Sequence, residues 1–368
     1  MSFESVIGQE RVKKILTTSI QRKRLAHAYL FYGQPGVGAE AMAIAMGKGL
    51  NCEKGEPGGC GQCPPCQQVQ SLDYPGFRLV LPVPSRPKTT KEDKYLDILR
   101  SKALAWMENP YQEISYSPEL TTLPLIGIDD IRSLKHDVIL KMASGQYRVF
   151  CIIHADRMTT SAANSLLKLL EEPPEKTMLF LTTNNVSQLL PTIVSRCQKV
   201  RFDPLKDVVI ETSMVNGYAL EPEKAQFIAK MAGGSLQRAQ ELAGEAFEQK
   251  RDEALAYLAK ALDKEPLQRS AGTEELIRNY DKASIQELLQ ILIVWFRDAW
   301  QFKLDAHEHL INRDRISQIE RFLNKWPDFR AEQAIGRTEQ SIDYIQKNVY
   351  LPLALHTLSD DLYRCSIS

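Results

Sequence analysis

No run of this sequence approaches the roughly 18 consecutive apolar residues that a membrane-spanning helix needs. Its first residues, Met1-Ser2-Phe3-Glu4-Ser5, lack the basic patch and apolar core of a secretory leader. The expectation is a cytoplasmic protein with no membrane partner. An excess of charge of either sign is missing too, since 46 Lys and Arg balance 46 Asp and Glu. A protein that grips nucleic acid by itself needs a basic field, so any DNA contact here has to be local or shared with partners. Cysteine is sparse at seven, and in a reducing compartment these are thiols or metal ligands rather than disulfides.

What is present is the composition of a globular protein, 43% hydrophobic and 25% charged over 368 residues, a length that predicts two or three domains. The pattern is organised around Gly33-Gln34-Pro35-Gly36-Val37-Gly38-Ala39-Glu40. It follows a strand-like apolar run at 28–32 and opens a helix-like run at 41–47, the context in which a phosphate-binding loop works. Gly33 and Gly38 fit the pattern G-x-x-x-x-G-K-[ST], and glycines there let backbone N–H groups curl round phosphate oxygens. The two following positions depart from it. Ala39 stands where a lysine would neutralise the β- and γ-phosphates, and Glu40 where a hydroxyl would hold Mg²⁺. A carboxylate about 4 Å from a phosphate charge is repelled by up to roughly 4 kcal/mol at an effective dielectric near 20. Gly33, Gly36 and Gly38 therefore read as a vestigial phosphate loop that holds ATP poorly.

Four of the cysteines are crowded together. Cys52, Cys60, Cys63 and Cys66 are separated by seven, two and two residues, among Gly55, Gly58, Gly59, Gly61, Pro57, Pro64 and Pro65. Such a segment reads as turns throughout, able to wrap short backbone around one ion. Four thiolates suit a closed tetrahedral Zn²⁺ site of structural kind, without an open position for catalysis. Cys151, in an apolar run, reads as a small buried hydrophobe.

Elsewhere the chain alternates. Helical spacing is expected over 1–27 through Val12, Ile15, Leu16 and Ile20, with Arg22, Lys23 and Arg24 either a solvated helix end or a phosphate contact. Strands are expected at 76–82, 149–153, 178–181 and 200–202, and helices from Asp129 and over 159–172, the latter stopped by Pro173-Pro174. Alternation of this kind predicts a parallel sheet covered on both faces. Residues 83–125, rich in charge and proline, read as an insertion or mobile loop with a short helical piece at 96–107. Beyond Pro204 the strand signals stop. Short helices are expected at 206–215, 221–231 and 235–244, then longer ones to the end, with Trp295, Phe296 and Trp300 packing in a bundle or against a neighbour.

The vestigial loop, the four-cysteine knuckle after it, the stretch Asn164-Ser165-Leu166-Leu167-Lys168-Leu169-Leu170-Glu171-Glu172-Pro173-Pro174 and the tripeptide Ser195-Arg196-Cys197 together resemble the bacterial clamp-loader AAA+ proteins of DNA polymerase III. The resemblance covers most of 1–204, and beyond it the helical layout and residues 348–362 are similar to that family's collar. It implies an AAA+ α/β domain over 1–204 with a zinc knuckle at 52–66 and an insertion at 83–125. A helical lid at 205–245 and an all-α collar at 246–368 for ring assembly would follow. It also implies partners: gamma/tau-like ATPase subunits and a delta subunit in a hetero-pentamer, with the sliding clamp and primed DNA reached through the complex.

Within that family some members hydrolyse ATP and some do not, and the departures of this chain agree with one another. Where an ATPase of the family carries Asp-Glu to hold Mg²⁺ and place water, this chain has His154 and Ala155. Gly234-Ser235-Leu236 matches the entry to the lid arginine, but Gln237 takes the arginine's place and Arg238 comes one step later, turned about 100° round the helix. Asn184 and Asn185 occupy the region that senses the γ-phosphate, or cap the next helix. Arg196, flanked by Ser195 and Cys197, matches the arginine finger that acts on ATP held by the neighbouring subunit. The resemblance thus implies a non-catalytic loader subunit. The alternatives are a working AAA+ ATPase with an atypical loop, and a zinc-knuckle protein that binds DNA directly.

Overall fold

Runs of apolar residues without alternation mark strands buried on both faces, and in the computed structural model those runs form the centre of a five-stranded sheet. The structure describes residues 2–87, 90–116, 120, 122–139 and 146–367. Two compact units are present, one of residues 1–209 with 234–238, the other of residues 210–233 with 239–368.

In the first unit, helix α1 (Glu10–Gln21) leads to β1 (Ala28–Tyr32), α2 (Ala39–Gly49), α3 (Pro64–Gln70), β2 (Phe77–Val80) and α4 (Glu92–Glu108). Then come α5 (Ile128–Ile139), β3 (Arg148–Ile152), α6 (Thr160–Glu171), β4 (Thr177–Thr183), α7 (Pro191–Val194) and β5 (Gln198–Arg201). The strands run β2-β3-β4-β1-β5, and every pair is parallel. Register places Leu30 beside Leu181 and Ile152 beside Leu181 from the other side. The period of two sorts the faces. Leu30, Phe150, Ile152, Leu179 and Leu181 join Leu134, Leu166 and Leu170 in one core layer. Phe31 and Phe180 on the opposite face have ring centroids 5.6 Å apart. Cys151 is fully buried there, its thiol 3.4 Å from the Ala43 carbonyl of α2. Helix α2 is enclosed by protein along most of its length, apolar except for the buried Glu40 and Lys48, and Gly47 lets Phe77 approach so closely that a Cβ would lie 2.5 Å from its ring. Thr159 caps α6 by accepting the Ala162 N–H.

This is the expected parallel sheet with helices, and two local expectations change. The knuckle is not all turns: Cys63 is the N-cap of α3, and Pro64 and Pro65, which as breakers suggested loop, occupy the first helical turn where proline fits. The described residues of 83–125 form more than a loop. Val83 and Leu125 exchange two backbone hydrogen bonds of 3.0 Å that close its ends, and α4 spans 17 residues with Trp106 and Met107 buried. Arg22, Lys23 and Arg24 are exposed at the end of α1.

The second unit is helical. Its helices include Pro222–Met231, Glu245–Ala261, Pro266–Asn279, Lys282–Lys303, Ile316–Lys325, Ala331–Gln346 and Leu351–Ser366. Trp295 and Phe296 are buried among Phe322 and Phe329, whereas Trp300 of the same apolar stripe is 38% exposed. Asp298, fully buried, accepts the N–H groups of Ile311 and Asn312 and the Asn312 amide, so its lone pairs are well occupied. Among the described residues no helix is long and apolar enough to cross a membrane.

Candidate functional site

Gly36 and Gly38 carry the phosphate loop through backbone angles that side chains avoid, with φ of 73° and 96°. Gly38 is the N-cap of α2, so the loop delivers its chain to a helix N-terminus as a phosphate loop does. A second contact fixes the turn. The Leu236 N–H donates to the Gly36 carbonyl at 3.0 Å, and the Ser235 hydroxyl to the Pro35 carbonyl at 2.8 Å. A Cβ on Gly36 would lie 2.4 Å from the Gln237 nitrogen. Gln237, which the resemblance sets in the lid arginine's place, thus abuts the loop with its backbone, while the Arg238 N–H is tied to the Ser235 hydroxyl.

The side chains at the two altered positions are enclosed, Ala39 being 3% and Glu40 5% exposed. Burial pushes the Glu40 carboxyl up to about 7, nearby Asp156 adds to the rise, and a hydrogen bond from the Thr182 hydroxyl opposes it. Near neutrality Glu40 is therefore partly protonated, and the repulsion expected toward phosphate is complete only at higher pH. Asp156 accepts the Thr183 hydroxyl at 2.6 Å. The sequence offered Asp156 two positions past His154, yet nothing local tied it to Glu40.

His154, two residues past the end of β3, is in a left-handed conformation, φ 52°. Burial, reinforced by Arg157 and opposed by Asp156, lowers its pKa, so the ring is neutral at physiological pH. Its backbone N–H donates to the Thr182 hydroxyl, and its Nδ1 lies 3.5 Å from the Asn184 amide. Asn185 caps the following turn by accepting the Ser187 N–H.

One residue on this loop escaped the sequence entirely. Tyr111, beyond the end of α4, is 4% exposed. Its hydroxyl accepts the Ile7 N–H at 2.7 Å and lies 3.1 Å from where a Gly38 Cβ would stand. Burial and then the Glu40 charge raise its pKa. No short-range pattern could have disclosed it, because Ile7 and Tyr111 are 104 residues apart.

Arg196 lies away from this enclosure, on the turn between α7 and β5. Its side chain is 35% accessible and pairs with Glu171 at 2.7 Å, while another guanidinium nitrogen donates to the Thr192 carbonyl at 2.9 Å. Ser195 is exposed and donates its hydroxyl to the same carbonyl. Cys197 turns inward to the core layer, where burial pushes its thiol up to about 12.

The four clustered cysteines meet in space. The sulfurs of Cys52, Cys60, Cys63 and Cys66 all lie within 4.8 Å of one another, and those of Cys52 and Cys63 are 4.0 Å apart. Tetrahedral zinc with bonds near 2.3 Å spaces its sulfurs by roughly 3.8 Å, so the donor set fits a structural metal ion. Backbone N–H groups already face the sulfurs, Cys60 donating to Cys52 and Cys63 to Cys60. The N–H groups of Gln62 and Cys63 lower the Cys60 thiol to about 6. A metal there would bind α3 to the end of α2 and take no part in chemistry.

Residues 8–206 match the family model described as DNA polymerase III, delta subunit, and residues 246–350 match the model for the C-terminal part of the same delta subunit. DNA polymerase III subunit delta' of Bacillus subtilis is 28% identical over 341 residues, covering 91% of this chain and 86% of that protein. DNA polymerase III subunit tau of Escherichia coli is 28% identical over 251 residues, and there the match spans 67% of this chain but 33% of the relative's length. A solved gamma-subunit-related protein from Thermotoga maritima aligns over 95% of this chain and 99% of that one, with 16% identity and a TM-score of 0.39. With more than half of its length, including the whole of the covered loop, inside the first of these models, the chain belongs to the DNA polymerase III delta-subunit family.

Proposed function

We propose that this chain is a non-hydrolysing subunit of a DNA polymerase III clamp loader. It completes a hetero-pentameric ring with gamma/tau-like ATPase subunits and a delta subunit, and helps place the sliding clamp on primed DNA in the cytoplasm. Its ATP chemistry is indirect: Arg196 reaches ATP bound by the neighbouring subunit and offsets charge developing on the transferred phosphoryl group. A planar, permanently charged guanidinium suits that work, and such groups are worth about 10³ to 10⁵ in rate in other phosphoryl-transfer systems. Ser195 and Cys197 serve as the two anchors of the turn that carries it, one at the surface and one in the core. The α/β part over 1–204, a lid at 205–245 and a collar at 246–368 are the working divisions in this reading.

The observation that carries it is a contrast inside one unit. The positions that would grip and cleave a triphosphate hold Ala39, Glu40, His154 and Ala155, whereas Arg196 stands accessible at the surface. The similarity to a delta' subunit over 91% of the chain supports the same reading. A loader reconstituted with Arg196→Ala should keep ATP bound in its partner subunits and lose DNA-stimulated hydrolysis by about 100-fold or more. Unchanged turnover would overturn the role of Arg196. Hydrolysis of ATP by the isolated wild-type chain would instead favour a working ATPase.

A further inference from the structure

We infer that Tyr111 is a built-in occupant of the phosphate-loop mouth, a side chain from the 83–125 insertion that fills the place beside Gly38 which a nucleotide would otherwise enter. This rests on the reading of the loop as degenerate and adds what stands in the nucleotide's stead.

The mouth is defined by backbone. Gly38 presents the N-terminus of α2, toward which anions are drawn, and Ile7 belongs to the segment that precedes α1. The Tyr111 phenol spans the two, accepting the Ile7 N–H at 2.7 Å with its ring edge 3.2 Å from a Gly38 Cβ position. A ligand seated here has to displace an aromatic ring that is 4% exposed and take over a satisfied N–H. Gly38, required by the phosphate pattern, is now required by the ring, since a side chain there would press on it.

The ring is held by more than its own contacts. The Tyr111 backbone N–H lies 3.4 Å from the Asn109 side-chain oxygen, the Gln112 N–H donates to the Asn109 carbonyl, and the Trp106 indole donates to the Gln112 carbonyl at 3.0 Å. Trp106 and Met107 are buried, and the Gln70 amide donates to the Met107 carbonyl. The turn bearing Tyr111 is therefore fastened to the end of α4, and α4 in turn to α3. The consequence is a loop whose order does not depend on bound nucleotide.

Three full-length chains test this by Mg-ATP titration: the wild type, the double variant Ala39→Lys/Glu40→Thr, and the triple variant that adds Tyr111→Ala. The double variant restores the missing groups behind an intact ring, and the triple removes the ring. The triple variant should bind about tenfold or more tightly than the double, the equivalent of one hydrogen bond with its ring contact. Equal affinity of double and triple variants, or no binding by either, overturns the occupant while leaving the degenerate loop intact. Tight binding by the wild type overturns both. A second measurement is independent of the triple variant's folding: Tyr111→Phe keeps the ring but removes the acceptor, and amide hydrogen exchange at Ile7 should accelerate about tenfold. An unchanged rate at Ile7 also overturns the inference.

Discussion

Glu171, the last residue of α6, pairs with Arg196 across 2.7 Å, so two of the stretches that carried the family resemblance meet as one unit. For Arg196 to reach a neighbouring phosphate it has to leave this carboxylate. The pair is 35% and 50% accessible, which limits its value to at most about 1 kcal/mol. Glu171→Gln should leave the melting temperature nearly unchanged and raise partner ATP turnover up to about fivefold by freeing the guanidinium. A drop in turnover, measured in the reconstituted loader, would mean that Glu171 aims the arginine instead of restraining it.

Glu40 should give the protein a definite pH dependence. Its carboxyl rises from 4.5 to about 7 on folding, so the folded state holds a proton that the unfolded state releases. Stability from this group is greatest below about 4.5, falls as pH rises between the two values, and is at its lowest above about 7. Glu40→Gln should remove that slope and stabilise the protein at pH 8 by on the order of 3 kcal/mol. Denaturant titrations of both proteins at pH 5 and 8 check this, and parallel pH profiles would refute it.

The cysteine cluster should carry one metal ion per chain. Structural zinc sites supply on the order of 10 kcal/mol of local folding energy, so chelation or Cys60→Ser should lower the melting temperature by several degrees. Proteolysis should appear within 52–66 while the parallel sheet persists. Elemental analysis of the purified protein and limited digestion measure both. A metal-free chain with unchanged stability would dismiss the site.

Gly36 and Gly55 have similar positive φ, 73° and 68°, but only Gly36 is crowded, with Gln237 2.4 Å from a Cβ position. Gly55→Ala therefore tests backbone strain alone and should cost about 1 kcal/mol. Gly36→Ala has to push the Ser235–Gln237 backbone off the loop as well, and should cost about 2 kcal/mol more. Equal effects on unfolding free energy would show that the loop and the Ser235–Gln237 backbone separate without cost.

The buried strands, their parallel sense and the cysteine knuckle were legible because each is read from residues close in sequence, whereas the order β2-β3-β4-β1-β5 was not. Unbroken apolar runs force two-sided burial, and four thiols within 15 residues can meet around one ion whatever the rest of the chain does. The helix inside the knuckle was not legible, since Pro64 and Pro65 signal a turn and a first helical turn equally well. Nor could one stripe tell Trp295 from Trp300, because helical period sets direction but not the depth of the neighbouring helix.

By itself the sequence determined that Ala39 and Glu40 stand in the loop where the pattern has a lysine and a hydroxyl, and that His154 and Ala155 follow β3, for those are identities at fixed positions. Only the tertiary structure decided what fills the loop. Tyr111 reaches Ile7 and Gly38 because closure of the insertion at Val83 and Leu125 returns α4 and its turn to the sheet. Contacts over such separations follow from packing, and no local pattern of residues encodes them.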